Sequence, residues 1–256
     1  MKVKTLACLC ALAAIPAFGT EAVTSGNTFG VLKVTCSATN VIIATPWVKC
    51  GDATSAVSVT DLVMTDNLAE GDEIIIYTNS AFKRWVLNSS KQWVGTPVTD
   101  ATGTAAGGDP ATSAIARGLA FRFIKSGGYT SDSYDLYLYG QNTEATATSQ
   151  IARGGSAASP VYSLVASPKT TAANLNDGVT FNFDPNAADE IRVPRDNLPD
   201  VVYTYKTGEG GGWGTSVKTK VGSVYKKMWT VGCTIPAGTG FWYVSKGASG
   251  TGTITW

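Results

Sequence analysis

Carboxylates are the groups in this chain best suited to acid–base chemistry, because the sequence contains no histidine. Without histidine, the usual Ser-His-Asp and Cys-His catalytic systems and His-ligated zinc, copper or iron sites are excluded. A glycosidase needs two carboxylates about 5–9 Å apart. The candidates are Asp132 with Asp135, Asp184 with Asp189 and Glu190, and Asp196 with Asp200. All lie in polar, turn-like segments, where aspartate more commonly binds nearby backbone amides.

Residues 184–190 also place four oxygen-bearing side chains close together, on Asp184, Asn186, Asp189 and Glu190. Calcium prefers roughly six to eight oxygen ligands on a bent loop. The segment matches no calcium motif and lacks a central glycine, so ordinary Asx turns explain it at least as well. Calcium is the only cofactor that we consider.

Aromatic side chains offer a different chemistry, because a flat exposed ring can stack on a sugar ring. Trp85, Trp93, Trp213 and Trp229 lie in hairpin-like segments rich in lysine, serine and glycine. These four residues are the candidate carbohydrate-binding positions. The alternative is that they are core residues or cross-strand pairs, which stabilise a sheet by about 0.2–1 kcal/mol each.

Three cysteines follow the first nineteen residues, namely Cys36, Cys50 and Cys233. An odd number in an oxidising compartment predicts one disulfide and one thiol. Cys36 and Cys50 are close in the sequence, but a simple hairpin between them would not place them opposite each other. Cys50 with Cys233 is therefore the competing pair. No C-x-x-C spacing supports a metal site.

The chain begins with the three regions of a secretory signal peptide. Two lysines precede an uncharged apolar run over 6–15, and Ala17-Phe18-Gly19 has the small-residue pattern of a cleavage site. We expect residues 1–19 to be removed after Gly19, or alternatively after Ala17 or Ala22. A buried first helix is the other interpretation. The prediction is a secreted or cell-surface protein.

Charge is low and nearly balanced. Charged residues make up 15% of the chain, and 20 basic side chains face 19 acidic ones. No basic block stands out, so a nucleic-acid partner is not expected. Copies with a net charge near zero repel one another weakly, which favours self-association.

Many short β-branched or alternating runs, separated by turn residues, predict an all-β fold that is sandwich or barrel-like. Hairpins are expected about Ser37–Asn40 and about Asn88–Lys91. A short helical turn is expected at 60–64. These elements would position the candidate residues above.

The sequence also indicates an internal duplication. Ile115–Ile124 resembles Ile235–Val244 at an offset of 120 residues, and Asp66–Leu68 resembles Asp196–Leu198. We therefore predict a first β unit over 20–150 and a second over 151–256, packed together in one body. The Ala/Thr/Ser/Gly-rich stretch 144–159 is the expected junction.

The Gly-x-Gly-Phe-Trp-Tyr segment at 238–243 and the duplicated layout resemble a group of uncharacterised secreted bacterial β-rich proteins. The resemblance covers the two strand-end motifs and the strand after the signal. It implies fold class and location only, because the group has no activity to carry over.

These observations favour a secreted, non-enzymatic structural or surface protein that associates with its own copies, as a subunit of an extracellular assembly or filament. Free strand edges are the expected route, and residues 20–27 are a candidate docking arm. A carbohydrate-binding module that takes a glycan is the alternative. A carboxylate-dependent glycosidase is the third interpretation.

Overall fold

The computed structural model describes residues 29–37, 39–52, 55–78, 81–96, 98–100, 103–105, 108–127, 133–141, 143, 146–195, 198–221, 224–247 and 249–256. The predicted signal peptide and the segment 20–27 lie outside these residues. Within them the protein is nearly all β, as predicted, with antiparallel sheets in a sandwich-like arrangement and one short helix. That helix has four residues, so no described helix has the length to span a membrane.

The strands of the first half alternate with tight turns, and its helix is capped by Ser58, whose hydroxyl accepts a hydrogen bond from the Asp61 N–H. The elements are β1 (Phe29–Cys36), β2 (Asn40–Ala44), β3 (Val57–Ser58), α1 (Val59–Leu62), β4 (Glu73–Thr78), β5 (Ala81–Leu87), β6 (Trp93–Thr96), β7 (Val98–Asp100), β8 (Gly103–Ala105), β9 (Ala114–Ile115), β10 (Ala120–Ile124) and β11 (Tyr134–Gln141).

The second half begins within the expected junction. Its elements are β12 (Thr148–Arg153), β13 (Val161–Ala166), β14 (Ala173–Asn174), β15 (Thr180–Phe181), β16 (Glu190–Arg195), β17 (Leu198–Lys206), β18 (Gly212–Val221), β19 (Val224–Val231), β20 (Thr234–Ile235), β21 (Gly240–Ser245) and β22 (Gly250–Thr255).

The two halves have the same strand pairing. The first half has a sheet of order β2-β10-β4-β5-β6, and the second has β13-β21-β16-β17-β18 followed by an additional β19. The first strand of each half pairs with its last, β1 with β11 and β12 with β22. The short pairs β3-β9 and β14-β20 also correspond.

Register makes this correspondence residue by residue. Asn40 is equivalent to Tyr162, Ile42 to Leu164, Arg122 to Trp242, Ile75 to Arg192, and Tyr77 to Pro194. The offset of 120 between Ile115–Ile124 and Ile235–Val244 therefore relates equivalent strands. The other proposed match is wrong, because Asp66–Leu68 precedes β4 whereas Leu198 begins β17, the counterpart of β5. A three-residue turn motif recurs too easily to identify a repeat.

Each half has its own hydrophobic core, and a third cluster joins them. This contact between the halves, here called the seam, consists of Ile42, Ala44, Ala120, Leu164 and Ala166. The Ala44 N–H donates to the Gly238 carbonyl at 2.8 Å, and the Ala166 N–H donates to the Gly118 carbonyl at 3.1 Å. Because these two bonds join equivalent positions reciprocally, the halves are related by an approximate twofold axis.

Small residues let the two sheets approach closely at the seam. A Cβ atom on Gly240 would lie 2.5 Å from the Ala120 Cβ and 2.6 Å from the Ile42 Cγ2. Gly118 and Gly238 form the turns that enter β10 and β21 with φ of 87° and 73°, a conformation that favours glycine. The seam therefore depends on side chains that are absent or very small.

The local predictions differ in outcome. β5 and β6 form the hairpin expected about Asn88–Lys91, and α1 overlaps the helical turn expected at 60–64. The hairpin about Ser37–Asn40 is wrong, since β1 pairs with β11 and β2 with β10. Both β1 and β2 pair with strands that are more than 75 residues away in the sequence and not with each other.

Candidate functional site

Three of the four candidate tryptophans are core residues. Trp85, Trp93 and Trp213 are 0%, 4% and 1% exposed, and Trp229 on β19 is half-buried. A ring that stacks on a sugar must present one face to solvent, and the three buried indoles present none. The prediction that these three residues stack on a sugar is therefore replaced by the alternative interpretation, that they pack in the core.

Trp213 forms the floor of a cavity of about 500 Å³ in the second half, lined also by Phe181, Phe183 and Tyr205. Its indole N–H has no hydrogen-bond partner among the described residues. The same is true of Trp93, which occupies the equivalent place on β6 and lies inside the first core. The unpaired N–H is thus a property of the duplicated scaffold and does not indicate a ligand.

The candidate calcium loop is a structural turn. The Asp189 carboxylate is 1% exposed and accepts hydrogen bonds from the Asn186 N–H at 3.0 Å, the Lys246 N–H at 2.7 Å and the Tyr243 hydroxyl at 2.7 Å. Asn186 accepts from the Ala188 N–H at 2.9 Å. These donors occupy the oxygens that calcium would need. Asp184 contributes its carbonyl to Arg153 rather than to a shared cation site.

No group of three or more Cys, Asp or Glu residues in the described part of the chain is arranged to hold a metal ion. Glu190, the remaining member of the candidate set, binds Arg192 at 2.6 Å and also Lys246. Burial tends to raise the pKa of Glu190, but the hydrogen bonds from Lys246 and Arg192 outweigh it and lower that pKa. Glu190 is therefore held as a carboxylate and is unsuited to donate a proton.

The remaining carboxylate candidates do not form a described pair. Asp132 and Asp196 lie outside the described residues. Asp135 binds Lys33 at 2.9 Å and accepts from Thr35 at 2.7 Å, and these contacts lower its pKa. Asp200 is exposed on β17 and faces the groove described below.

No disulfide joins the three cysteines, all of which are described. Cys36 pairs with Tyr134 at one end of the β1–β11 ladder, whereas Val48, two residues before Cys50, pairs with Gln141 at the other. Seven residues of strand separate these ends, roughly 23 Å, and a disulfide needs Cα atoms within about 7 Å. Cys233 is buried in the second core, and its burial raises the pKa of its thiol. Both predicted bridges are therefore wrong.

A different set of aromatic residues lines a groove where the two halves meet. We call it the aromatic groove and define it by Tyr77, Phe82, Tyr162 and Trp242, with Arg192 and Asp200 at its wall. Two adjoining cavities of about 410 and 470 Å³ form it, and both are lined by Tyr77 and Tyr162. Tyr77 and Phe82 come from the first half and the other four residues from the second.

The rings form a continuous chain across the boundary. Tyr77 and Phe82 are a cross-strand pair with centroids 4.7 Å apart. Trp242 lies 6.4 Å from Tyr77 and 6.2 Å from Tyr162, edge to face in both contacts. Tyr162 is 40% exposed and the other three rings are half-buried, so all four retain surface in the groove.

Polar groups stand beside these rings. Arg192 is held by Glu190 through hydrogen bonds of 2.8 and 2.6 Å, which raise the pKa of its guanidinium. Asp200 adds an exposed carboxylate. The groove thus combines ring faces with a fixed cationic donor and an anionic acceptor, the composition of a site for a polar ligand with apolar faces.

Tyr77 and Trp242 pack against the seam, but the twofold-related site has no aromatic residues at the equivalent positions. The twofold-equivalent residues are Asn40 for Tyr162, Arg122 for Trp242 and Pro194 for Tyr77. There the Arg122 Nε donates to the Asn40 Oδ1 at 3.2 Å, in place of the contact between Tyr162 and Trp242. The same scaffold therefore carries rings on one side of the axis and polar residues on the other.

Sequence reasoning missed the groove because its rings come from two strand pairs, β4–β5 and β13–β21, that meet at the seam. The one available signal was Trp242 in the Phe241-Trp242-Tyr243 run, where the middle residue of an alternating strand faces away from its neighbours. Comparisons with protein-family models, with curated proteins and with solved structures find no match to this chain.

Proposed function

We propose that the protein is a secreted, non-enzymatic carbohydrate-binding protein that takes a glycan chain in the aromatic groove. The signal-like residues 1–19 support secretion. The observation that carries the binding proposal is the difference between two equivalent sites. One site has the rings of Tyr162, Trp242 and Tyr77. The twofold-related site has Asn40, Arg122 and Pro194 at the same positions of the fold. Rings that are absent from the twofold-related site, and that keep exposed surface, are available to a ligand.

Sugars fit this chemistry because each ring has an apolar C–H face and hydroxyl groups at its rim. The faces of Trp242 and Tyr162 offer stacking surface, and Arg192 and Asp200 can donate to and accept from hydroxyl groups. Two adjoining cavities suit a chain of more than one sugar. Binding without hydrolysis is supported by Glu190, whose lowered pKa and ion pairs make it unsuited to be the proton donor of a glycosidase.

The test is a glycan array followed by calorimetry with the best glycan, using the wild type, Trp242→Ala and Trp229→Ala. Trp229 lies on β19, outside the groove, and is the matched control. We expect Trp242→Ala to weaken binding at least about tenfold, equivalent to about 1.4 kcal/mol, and Trp229→Ala to leave it unchanged. Thermal unfolding of each variant separates lost binding from lost structure.

Two results would contradict the proposal. The first is a wild-type protein that binds no glycan on a broad array. The second is a Trp242→Ala variant that is folded and binds as tightly as the wild type.

A further inference from the structure

The second half carries a long β-ribbon where the first half has only the short β7–β8 hairpin, which forms three residue pairs. β18 and β19 pair over eight residue pairs, from Gly214 with Val231 to Val221 with Val224. β17 pairs with β18 only at Gly212–Gly214. In the described part of the chain, residues 215–221 and 224–230 therefore pair only with each other and extend past the end of the β17–β18 ladder. We call these residues the lysine ribbon.

Both faces of the ribbon are open to solvent at residues 226–228. Alternate residues of a strand point to opposite faces, and the consecutive residues Lys226, Lys227 and Met228 are all exposed. Met228 and Val231 are 48% and 45% exposed, which is high for large apolar side chains. An isolated two-stranded hairpin is only marginally stable in water, so a ribbon of this length gains from a surface to pack against.

Charge is concentrated on this ribbon, although the sequence showed no compact basic block. It contains Lys218, Lys220, Lys226 and Lys227, and no acidic residue follows Glu209. Excluding those four lysines, the rest of the chain has 16 basic and 19 acidic side chains. Lys226 and Lys227 are both exposed, and Lys227 pairs with Lys218 in the β18–β19 register.

The opposite charge is concentrated in the first half. No lysine or arginine occurs between Lys49 and Lys83, a segment with six acidic residues. Two of these are engaged in ion pairs, Asp72 with Lys125 and Glu73 with Arg84. Three others, on α1 and the loop that follows it, are exposed, and so is Met64. These three, Asp61, Asp66 and Glu70, define the acidic face.

We propose that the lysine ribbon of one copy docks on the acidic face of the next copy. The two surfaces carry opposite charges, and each adds an exposed methionine, Met228 on the ribbon and Met64 on the acidic face. Each copy presents both surfaces, so the contact is head to tail and builds a ring or an open filament. Neither surface includes a residue of the aromatic groove, so assembly and glycan binding are separable.

The experiment is sedimentation velocity of the full chain at micromolar concentration, in about 50 mM and about 500 mM salt, where the screening length falls severalfold. We expect oligomers in low salt and at least about tenfold weaker association in high salt. Lys226→Glu/Lys227→Glu should dissociate the low-salt oligomers, as should Asp66→Lys/Glu70→Lys. Lys49→Glu/Lys83→Glu, with the same change in charge at exposed sites elsewhere, should leave them intact.

Mixing the two charge-reversed variants should restore assembly, because each then offers the other a complementary surface. A folded wild type that is monomeric in low salt overturns the proposal, as does a mixture that stays monomeric. Association that is unchanged by both salt and charge reversal also overturns the proposal, because such association indicates pairing of strand edges. If the protein is monomeric and its lysine ribbon binds an anionic polysaccharide, the partner of the ribbon is that polysaccharide and not a second copy.

Discussion

Asp72 and Asp189 make the same hydrogen bond in the two halves. Asp72 Oδ1 accepts from the Ser126 N–H at 2.8 Å, and Asp189 Oδ1 accepts from the Lys246 N–H at 2.7 Å. The two donors are 120 residues apart, and each carboxylate immediately precedes the equivalent strands β4 and β16. Both carboxylates are fully buried, so each fixes the start of one strand to the end of the strand beside it.

Replacing Asp189 by alanine should lower the free energy of unfolding by about 2–4 kcal/mol, because three donors, among them the buried Tyr243 hydroxyl, lose their acceptor. Urea denaturation measures this. Asp177→Ala, at an exposed turn in the same half, should change stability by less than about 0.5 kcal/mol. If chelator destabilises the wild type as much as the substitution does, Asp189 is a calcium ligand after all.

Gly240→Ala should destabilise the protein by about 1–3 kcal/mol, because the added methyl group overpacks the seam against Ala120 and Ile42. Adding Ala120→Gly removes one of these two contacts and should recover part of the loss. The double-mutant cycle is measured by thermal unfolding. Additive effects of the two substitutions would show that the halves do not meet at these positions.

Of the three described cysteines, Cys50 should react first with a maleimide under native conditions, because it is half-buried while Cys36 and Cys233 are buried. Burial also raises the pKa of the Cys233 thiol and lowers its thiolate fraction. Mass spectrometry of the labelled protein identifies the site. Cys50→Ser should abolish rapid labelling, and denaturant should expose the other two thiols. If the denatured protein has only one reactive thiol, two of the three cysteines form the predicted disulfide.

Stability should fall in acid partly through Glu190. Its folded-state pKa lies below the ordinary value of 4.5, because hydrogen bonds from Lys246 and Arg192 outweigh burial. Its contribution is therefore complete above that ordinary value and disappears as the pH falls through the folded-state pKa. Glu190→Gln should flatten this part of the stability profile. Glu209→Gln, at an exposed position, should leave the dependence of stability on acidic pH unchanged. An equal effect of the two substitutions would show that Glu190 has no special role.

Sequence patterns predicted what depends on neighbours along the chain. The alternation in Arg84–Leu87 and the turn at Asn88–Lys91 predict the β5–β6 hairpin because both strands and their turn lie within sixteen residues. β1 follows no such rule, since its partner β11 lies about a hundred residues away and nothing local encodes that choice. The all-β class was therefore predictable and the ladder partners were not.

The candidate site shows the same limit. Trp85 and Trp213 have polar neighbours in the sequence, as residues of an exposed strand often do. Alternation with a period of two does not show which face of a strand is buried in the fold. The aromatic groove depends on which faces meet at the seam, and Ala44, Ala120 and Gly240 set that contact through their small size. Asp189 resembled a ligand because a buried carboxylate that binds backbone amides has the same sequence context as an exposed one.

The closure of each half by its own first and last strands has a consequence for how the chain acquires its structure. Phe29 must find Gln141, and Thr148 must find Thr255, so each ladder joins residues more than a hundred positions apart. Such distant contacts make folding slow, because the entropy of closing long loops is lost before the ladder forms. A nascent chain therefore lacks each end ladder until the half that this ladder closes is complete.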